Sequence, residues 1–537
     1  MKRLSFEVLN ETKKVSFSKV LVTFLIDVMM LVSLITHISE NNDFYESPVI
    51  NYIRNISFSD LLLIILVSIF VYFLLNFLFV VSNKVNVISN LKLDKKFYLV
   101  EFLFIFILWL PIYFICFPGG IFSDTFLSLG QAMGYAPLDN HHPILYTMII
   151  RLIAKILHTS DLTKVCAVYV FLQMLLMELT IVYFSIWLNK RRIKPIYIII
   201  SFLFLCFFPY VSLNAITMWK DTAYCLMIVL FTLSLAELCF DINQLNEWKY
   251  IAKLIFFGLL VCFFRNNGIY VFLISVIFTI LYTLIKKRIF IKFTVLSLLS
   301  CIIVIFIQGP VYNRLDLNTS STVESVGIPA QQIASVIYED RELTSSQEEI
   351  LFNICSKQDW KDYYAPCIFD NLKWYAPSFN ASYLDEHKVD FLKIWFELLP
   401  SNLDLYISSY FMATNSFYNL NYTFGSAAFY TGVWFENQGI VENNVIKDQT
   451  GIDLKDYLNR TPLMRESWFI LFLLVTMWLA LSKNKEYIFA YLPALLSTLT
   501  VLIATPVASH FRYIFFLVLL LPLFIIMTLI NNQSGKQ

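Results

Sequence analysis

The sequence predicts an all-α polytopic membrane protein with about 12 transmembrane helices, an interfacial helix and a large external mixed loop domain. Of its 537 residues 58% are apolar or aromatic and 15% charged, against roughly 25% charged in an average soluble domain, which excludes a soluble globular enzyme. Apolar runs of about 20 residues recur along most of the chain, each long enough to cross a hydrocarbon core of roughly 30 Å. The formal net charge is +1, so no charge excess points to nucleic acid, and the information lies in where the charges sit.

The first run follows a basic 19-residue tail and lacks a small-x-small cleavage site, so it reads as an anchor rather than a removed signal peptide. Spans are expected over 20–38, 60–82, 98–117, 163–188, 195–213, 221–240, 250–265, 268–285, 288–308, 467–482, 486–505 and 511–531. Pro143 to His158 is a candidate thirteenth crossing, but crossing there would turn Lys190, Arg191, Arg192 and Lys194 outward, against the positive-inside tendency. Arg151, Lys155 and His158 also follow i, i+4, i+7 spacing, so a helix lying in the membrane interface is the expectation. With that choice 22 bases fall on cytoplasmic segments and both termini are cytoplasmic. Four regions result: 1–97 with two spans, a membrane core over 98–308 with the external loop 118–162, an external domain over 309–466, and 467–537 with three spans. The third holds 21 acids against 11 bases. Of nine cysteines, Cys116, Cys166, Cys206, Cys225, Cys239, Cys262 and Cys301 lie in apolar runs, where a thiol acts as a small hydrophobe. Whether Cys355 and Cys367 pair stays open.

Polar groups gather at one end of the spans. The loop after the third reads Phe117-Pro-Gly-Gly-Ile-Phe-Ser-Asp124-Thr, then Gln131, then Asp139-Asn-His-His-Pro143. Asp124 is either a helix cap or a reactive carboxylate. His141 and His142 are either interfacial polar groups or, with Asp124, ligands of a divalent cation, although the pair lacks the i, i+4 geometry of a helical metal site. The next outer turn ends in Trp219-Lys-Asp221, where Lys220 breaks the charge rule of the other loops and either snorkels or meets an anion. Arg265 occupies a tight outer turn, and His510-Phe-Arg512-Tyr513 opens the last span. Together Lys220, Arg265 and Arg512 suggest a site for a phosphate or pyrophosphate at the membrane surface. Asp27 and Glu178, inside spans, read as packing or registry groups. The external segment carries Gln332 after Glu324-Ser-Val-Gly-Ile-Pro-Ala-Gln and is dense in Trp360, Tyr363, Tyr364, Trp374 and Tyr375, which is compatible with a carbohydrate acceptor.

These motifs resemble the GT-C class of integral-membrane glycosyltransferases, and more narrowly a bacterial branch placed with that class. The resemblance rests on Pro118 to Asp124-Thr, on Asp139-Asn-His-His-Pro143-Ile-Leu, on Trp219-Lys-Asp221 and on Arg512-Tyr513, and covers 118–310 best. It departs in reading His-His-Pro-Ile where many relatives have His-Pro-Pro-Leu, and in placing two extra spans before the loop. It implies a multi-pass cell-membrane enzyme with an exoplasmic active site. Asp124 matches the catalytic base or cation holder, Asp221 an assisting acid, and Asp139, His142 and Pro143 the element heading the interfacial helix. Lys220, Arg265, Arg512, Tyr513, His142 and Gln332 would bind substrate. A polyprenyl-phosphate-linked sugar would be the donor, and a cell-surface glycan, lipid or protein the acceptor, with inversion at the anomeric carbon. A flippase or transporter of a lipid-linked glycan, or a polysaccharide polymerase or ligase, would show the same outer cations. A transporter should also place polar groups near the midplane and on both sides.

Overall fold

The computed structural model describes residues 17–39, 55–317, 323, 325–366, 368–420, 432–433, 439–453, 465–504 and 511–531. Among them the chain is all-α, with two strands of two residues each. Among the described residues eight helices are long and apolar enough to cross a membrane, or nine if the bent pair Pro195–Phe207 and Pro209–Ala215 is one span. The pair bends by 58° at Pro209, whose ring removes an amide donor and clashes with the preceding turn. Two other expected spans contain shorter helices. Trp248–Phe264 has 17 residues, and Leu492–Ala504 has 13 behind the 3-10 turn Lys485–Ala490.

Burial orders the bundle. In Lys220–Ala236 every residue from Asp221 onward is buried, as expected of a helix apolar all round that sits at the bundle centre. Phe58–Lys84 instead exposes most of its apolar surface, the pattern of a lipid-facing helix, and starts at a Ser57–Asp60 capping box. Leu162–Lys190, 29 residues and so about 43 Å long, links the two ends of the bundle. At its far end Lys194 N donates to Val87 O at 2.7 Å and Ser89 N to Arg192 O at 2.8 Å.

Ile144–Ile156 has 13 residues, about 20 Å, too short to cross the hydrocarbon core. Its Arg151 donates to the carbonyls of Gln131 at 2.8 Å and Ala132 at 3.1 Å, binding the open C-terminal end of Ser123–Met133. The segment expected to be a mixed loop domain is helical among its described residues. Gly327–Tyr338, Ser345–Ile354, Lys388–Leu398 and Leu403–Ala413 surround a second apolar core that includes Ile333, Leu351, Trp360, Phe391 and Tyr406. Trp360 fills that core, whereas Trp374 and Tyr375 are exposed. Cys367 lies outside the described residues, so the expected alternative of a bridge to Cys355 does too. Cys355 is buried with its thiol 3.5 Å from Ser378 Oγ.

Candidate functional site

The site begins with backbone. After Lys95–Ile115 the chain turns through Gly119 at φ +129°, where a Cβ would stand 2.6 Å from a Val170 methyl and 2.8 Å from Ile216 O. A side chain has neither the conformation nor the space there. The turn delivers β1 (Gly120–Ile121) to β2 (Thr217–Met218) as a parallel pair, Gly120 opposite Thr217 and Ile121 opposite Met218. Gln173, mid-helix in Leu162–Lys190, donates to the carbonyls of Asn214, Ala215 and Thr217 at 3.3, 3.0 and 2.7 Å, so one buried amide ties together the end of Pro209–Ala215 and the start of β2. Thr125 Oγ1 and Tyr146 OH both donate to Met218 O, at 2.5 and 3.3 Å. Each strand runs directly into a helix, Ser123–Met133 and Lys220–Ala236. The register therefore places Asp124, in the first turn of one, beside Lys220 and Asp221, in the first turn of the other. Two helix N-termini lie together, a setting that favours negative charge.

The charged side chains form an alternating chain. Asp124 Oδ2 lies 3.6 Å from Lys220 Nζ and 3.0 Å from Arg512 Nη1. Arg512 Nε is 3.7 Å from Asp221 Oδ2, and Arg265 Nη1 is 3.7 Å from Asp221 Oδ1. His142 Nδ1 accepts from the Lys220 ammonium. Arg512 Nη2 donates to Tyr513 OH at 3.1 Å, and its guanidinium stands 4.8 Å from the Trp219 ring, which stacks on Phe122 at 3.9 Å. Arg265 stands 4.8 Å from the Tyr513 ring and 5.4 Å from that of Tyr224. Three cations face two carboxylates, so one positive charge is left over.

Exposure divides the carboxylates. The Asp221 side chain is 1% exposed and that of Asp124 30%, so Asp124 faces the open side and Asp221 holds Arg265 and Arg512 from behind. Burial pushes the Asp124 carboxyl up, but Arg512, Lys220 and His142 outweigh it and hold the group well below the usual carboxylate range. Burial, with Lys220 beside it, drives His142 well below the usual imidazole value, which fits a neutral ring accepting from an ammonium. Several buried polar atoms of the cluster have no hydrogen-bond partner among the described residues: both Asp221 oxygens, Arg265 Nη1, Arg512 Nε and Trp219 Nε1. Buried groups left so are costly, and a polar ligand at this centre would relieve them.

Asp124, Asp221, Lys220, Arg265, Arg512, Tyr513 and His142 thus come together. Asp139 and Gln332 do not. Asp139 Oδ1 accepts from His141 N at 3.0 Å, shaping the loop ahead of His142 rather than reaching the cluster. Gln332 lies in the core of the second helical unit, donating to Tyr406 O at 2.9 Å and accepting from Trp395 Nε1 at 2.7 Å. Both ends of its amide are occupied by structure, so its expected substrate contact is corrected to a packing role. His141 packs edgewise on His142 at 4.6 Å. Among the described residues no group of three or more His, Cys, Asp or Glu could hold a metal ion, and the cation set of Asp124, His141 and His142 is not assembled: Arg512 and Lys220 occupy Asp124 Oδ2 instead. His510 lies outside the described residues. Asp27 is half-buried in Phe17–Ser39 and Glu178 fully buried in Leu162–Lys190.

Sequence reasoning missed Phe122 and Trp219 as the aromatic bed of Arg512, and Gln173 as the clamp of the ladder. It also missed Asn266, whose amide donates to Asn140 O at 3.1 Å and ties the Arg265 turn to the His142 loop. A glutamine in the middle of a span was a signal available for Gln173.

A family profile described as "Family of unknown function (DUF6020)" matches residues 131–537, a stretch that holds Lys220, Asp221, Arg265 and Arg512 and starts just after Asp124. No curated protein and no solved structure matches the chain.

Proposed function

The chain belongs to the DUF6020 family, and for it we propose a membrane glycosyltransferase of GT-C type that moves a sugar from a polyprenyl-phosphate donor to a cell-envelope acceptor. One observation carries the reading: Asp124, Lys220 and Arg512, far apart in sequence, meet at one partly open centre. A carboxylate beside two cations is what transfer from a phosphate-linked sugar requires. Lys220, Arg512 and, behind them, Arg265 stabilise the phosphate as it gains charge on leaving. The acceptor oxygen forms its bond to the anomeric carbon as the carbon–phosphate oxygen bond breaks. Its proton passes to Asp124, and the configuration inverts. A correctly placed base of this kind contributes on the order of a hundred- to ten-thousandfold.

The proposal extends to topology. Twelve crossings, with the bent pair, Phe17–Ser39, Trp248–Phe264 and the 3-10 turn plus helix over 485–504 added to the eight long helices, would return both termini to one side, and the positive-inside tendency of the loops assigns that side to the cytoplasm. On this proposed topology the Asp124 centre and the acidic segment 309–466 are exoplasmic. Lipid reaches the site between helices, and the interfacial helix Ile144–Ile156 lies at that surface. The transferase is preferred to a flippase of lipid-linked glycan because the partly exposed carboxylate Asp124 meets Lys220 and Arg512 at one end of the central helix, whereas Glu237 at its other end is paired with Arg191 and Lys253. The test is genetic. Asp124→Asn and Lys220→Ala, at unchanged protein level, should each abolish a surface glycan that the wild type restores to a deletion strain. Normal glycan in both would remove the assignment.

A further inference from the structure

Asp124 sits where the ligand of this centre would sit. Its Oδ2 takes the Arg512 guanidinium at 3.0 Å and the Lys220 ammonium at 3.6 Å, the two cations an incoming anion would need. It does so beside two helix N-termini, the usual seat of a bound phosphate. Asp221 cannot release the cations in its place, since it is buried behind them and already spans Arg512 and Arg265 at 3.7 Å each. The groups facing Asp124 are Lys220 from the central helix, His142 from the loop ahead of Ile144–Ile156, Tyr146 from that helix, and Arg512 and Tyr513 from the head of the last helix.

We propose that the Asp124 carboxylate is an internal stand-in for the anionic group of the substrate, and that a phosphate or pyrophosphate, free or lipid-linked, binds by displacing it from Lys220 and Arg512. The exchange conserves charge at the cations: each trades one oxyanion for another, and the surplus positive charge of the cluster offsets the second negative charge of a phosphate. It also orders the chemistry. While both cations sit on Asp124 the carboxylate is a weak base, because the charge that would attract a proton is already neutralised. Once the anion holds the cations, Asp124 is released as a stronger base, so proton abstraction is armed only when a donor is in place. An idle site of this kind does not pass protons to Asp124, and the sugar is exposed to attack only in the loaded complex.

The inference rests on reading the cluster as an anion-binding centre, and its test separates it from the transferase reading. Inorganic pyrophosphate, and in a second arm farnesyl phosphate, would be titrated calorimetrically into the full chain in lipid nanodiscs. Removing an internal competitor tightens binding, so Asp124→Asn and Asp124→Ser should each bind the probe about tenfold more tightly than wild type, whereas Lys220→Gln should bind it more weakly. Tightening for one probe alone identifies the free or the lipid-linked anion as the one exchanged. Unchanged or weaker binding of both probes in both Asp124 variants overturns the proposal, as does the absence of binding in every variant. Tightening without any sugar transfer by the wild type would keep the exchange and remove the transferase.

Discussion

Arg512 Nη1 meets Asp124 Oδ2 at 3.0 Å across 388 residues of sequence, joining the helix Ser123–Met133 to the head of the last helix. The contact closes a centre whose other members enter on the central helix and on the turn at Arg265. Its consequences are measurable at the backbone, at the buried pairs and in the pH response.

Gly119 should tolerate no side chain. Gly119→Ala places a methyl against Val170 and Ile216 O at a left-handed φ, and should cost on the order of 2 kcal/mol or more in thermal stability. Because β1 sets where Asp124 stands, donor binding should fall with it. Wild-type stability and binding in the variant would refute the role of the turn.

Gln173→Leu removes the donor shared by three carbonyls while keeping the volume of the side chain. Leaving buried acceptors unmet should destabilise by about 1–3 kcal/mol. Deuterium uptake by residues 214–219 should rise first, ahead of the rest of the helix Leu162–Lys190.

Arg265→Met leaves the buried Asp221 with Arg512 alone. A buried carboxylate stripped of one partner should cost about 3–5 kcal/mol. Adding Asp221→Asn removes the orphaned charge and should recover part of the loss. Additive losses in the double variant would show that the two side chains are not coupled.

The pH response follows from His142. Its folded pKa is depressed below the unfolded value of 6.5, so its contribution to stability is present above 6.5 and is lost as pH falls toward the folded value. Wild type should be flat in Tm from about pH 7 upward and decline as pH falls below 6.5, while His142→Gln should decline less. Asp124, also depressed, adds a loss only further down, below the unfolded carboxylate value of 3.8. Parallel Tm curves for wild type and His142→Gln would contradict the assignment.

What could be read from the sequence follows from cost. Lys220, Asp221, Arg265 and Arg512 stand beside apolar spans, where an ionised group is expensive without a partner, and that expense made each conspicuous. Asp139 and Gln332 lie outside the apolar spans, where a polar residue in the sequence is unremarkable, and spacing could not separate a turn-forming Asp or a core glutamine from a ligand. The two-residue ladder of Gly120–Ile121 with Thr217–Met218 was hidden for another reason: it is too short for a period-2 pattern, yet it sets the register of the whole centre. Span counting was blurred where Pro209 bends a helix and where the 3-10 turn Lys485–Ala490 shortens the next one.

The most direct measurement of the central claim is transfer of radiolabelled sugar from a polyprenyl-phosphate donor in proteoliposomes, scored for wild type, Asp124→Asn and Arg512→Ala. The account predicts cleavage of the donor and labelled acceptor with wild type, and a loss of a hundredfold or more with either variant. Movement of intact donor across the bilayer with no bond broken, or full transfer by both variants, would contradict it.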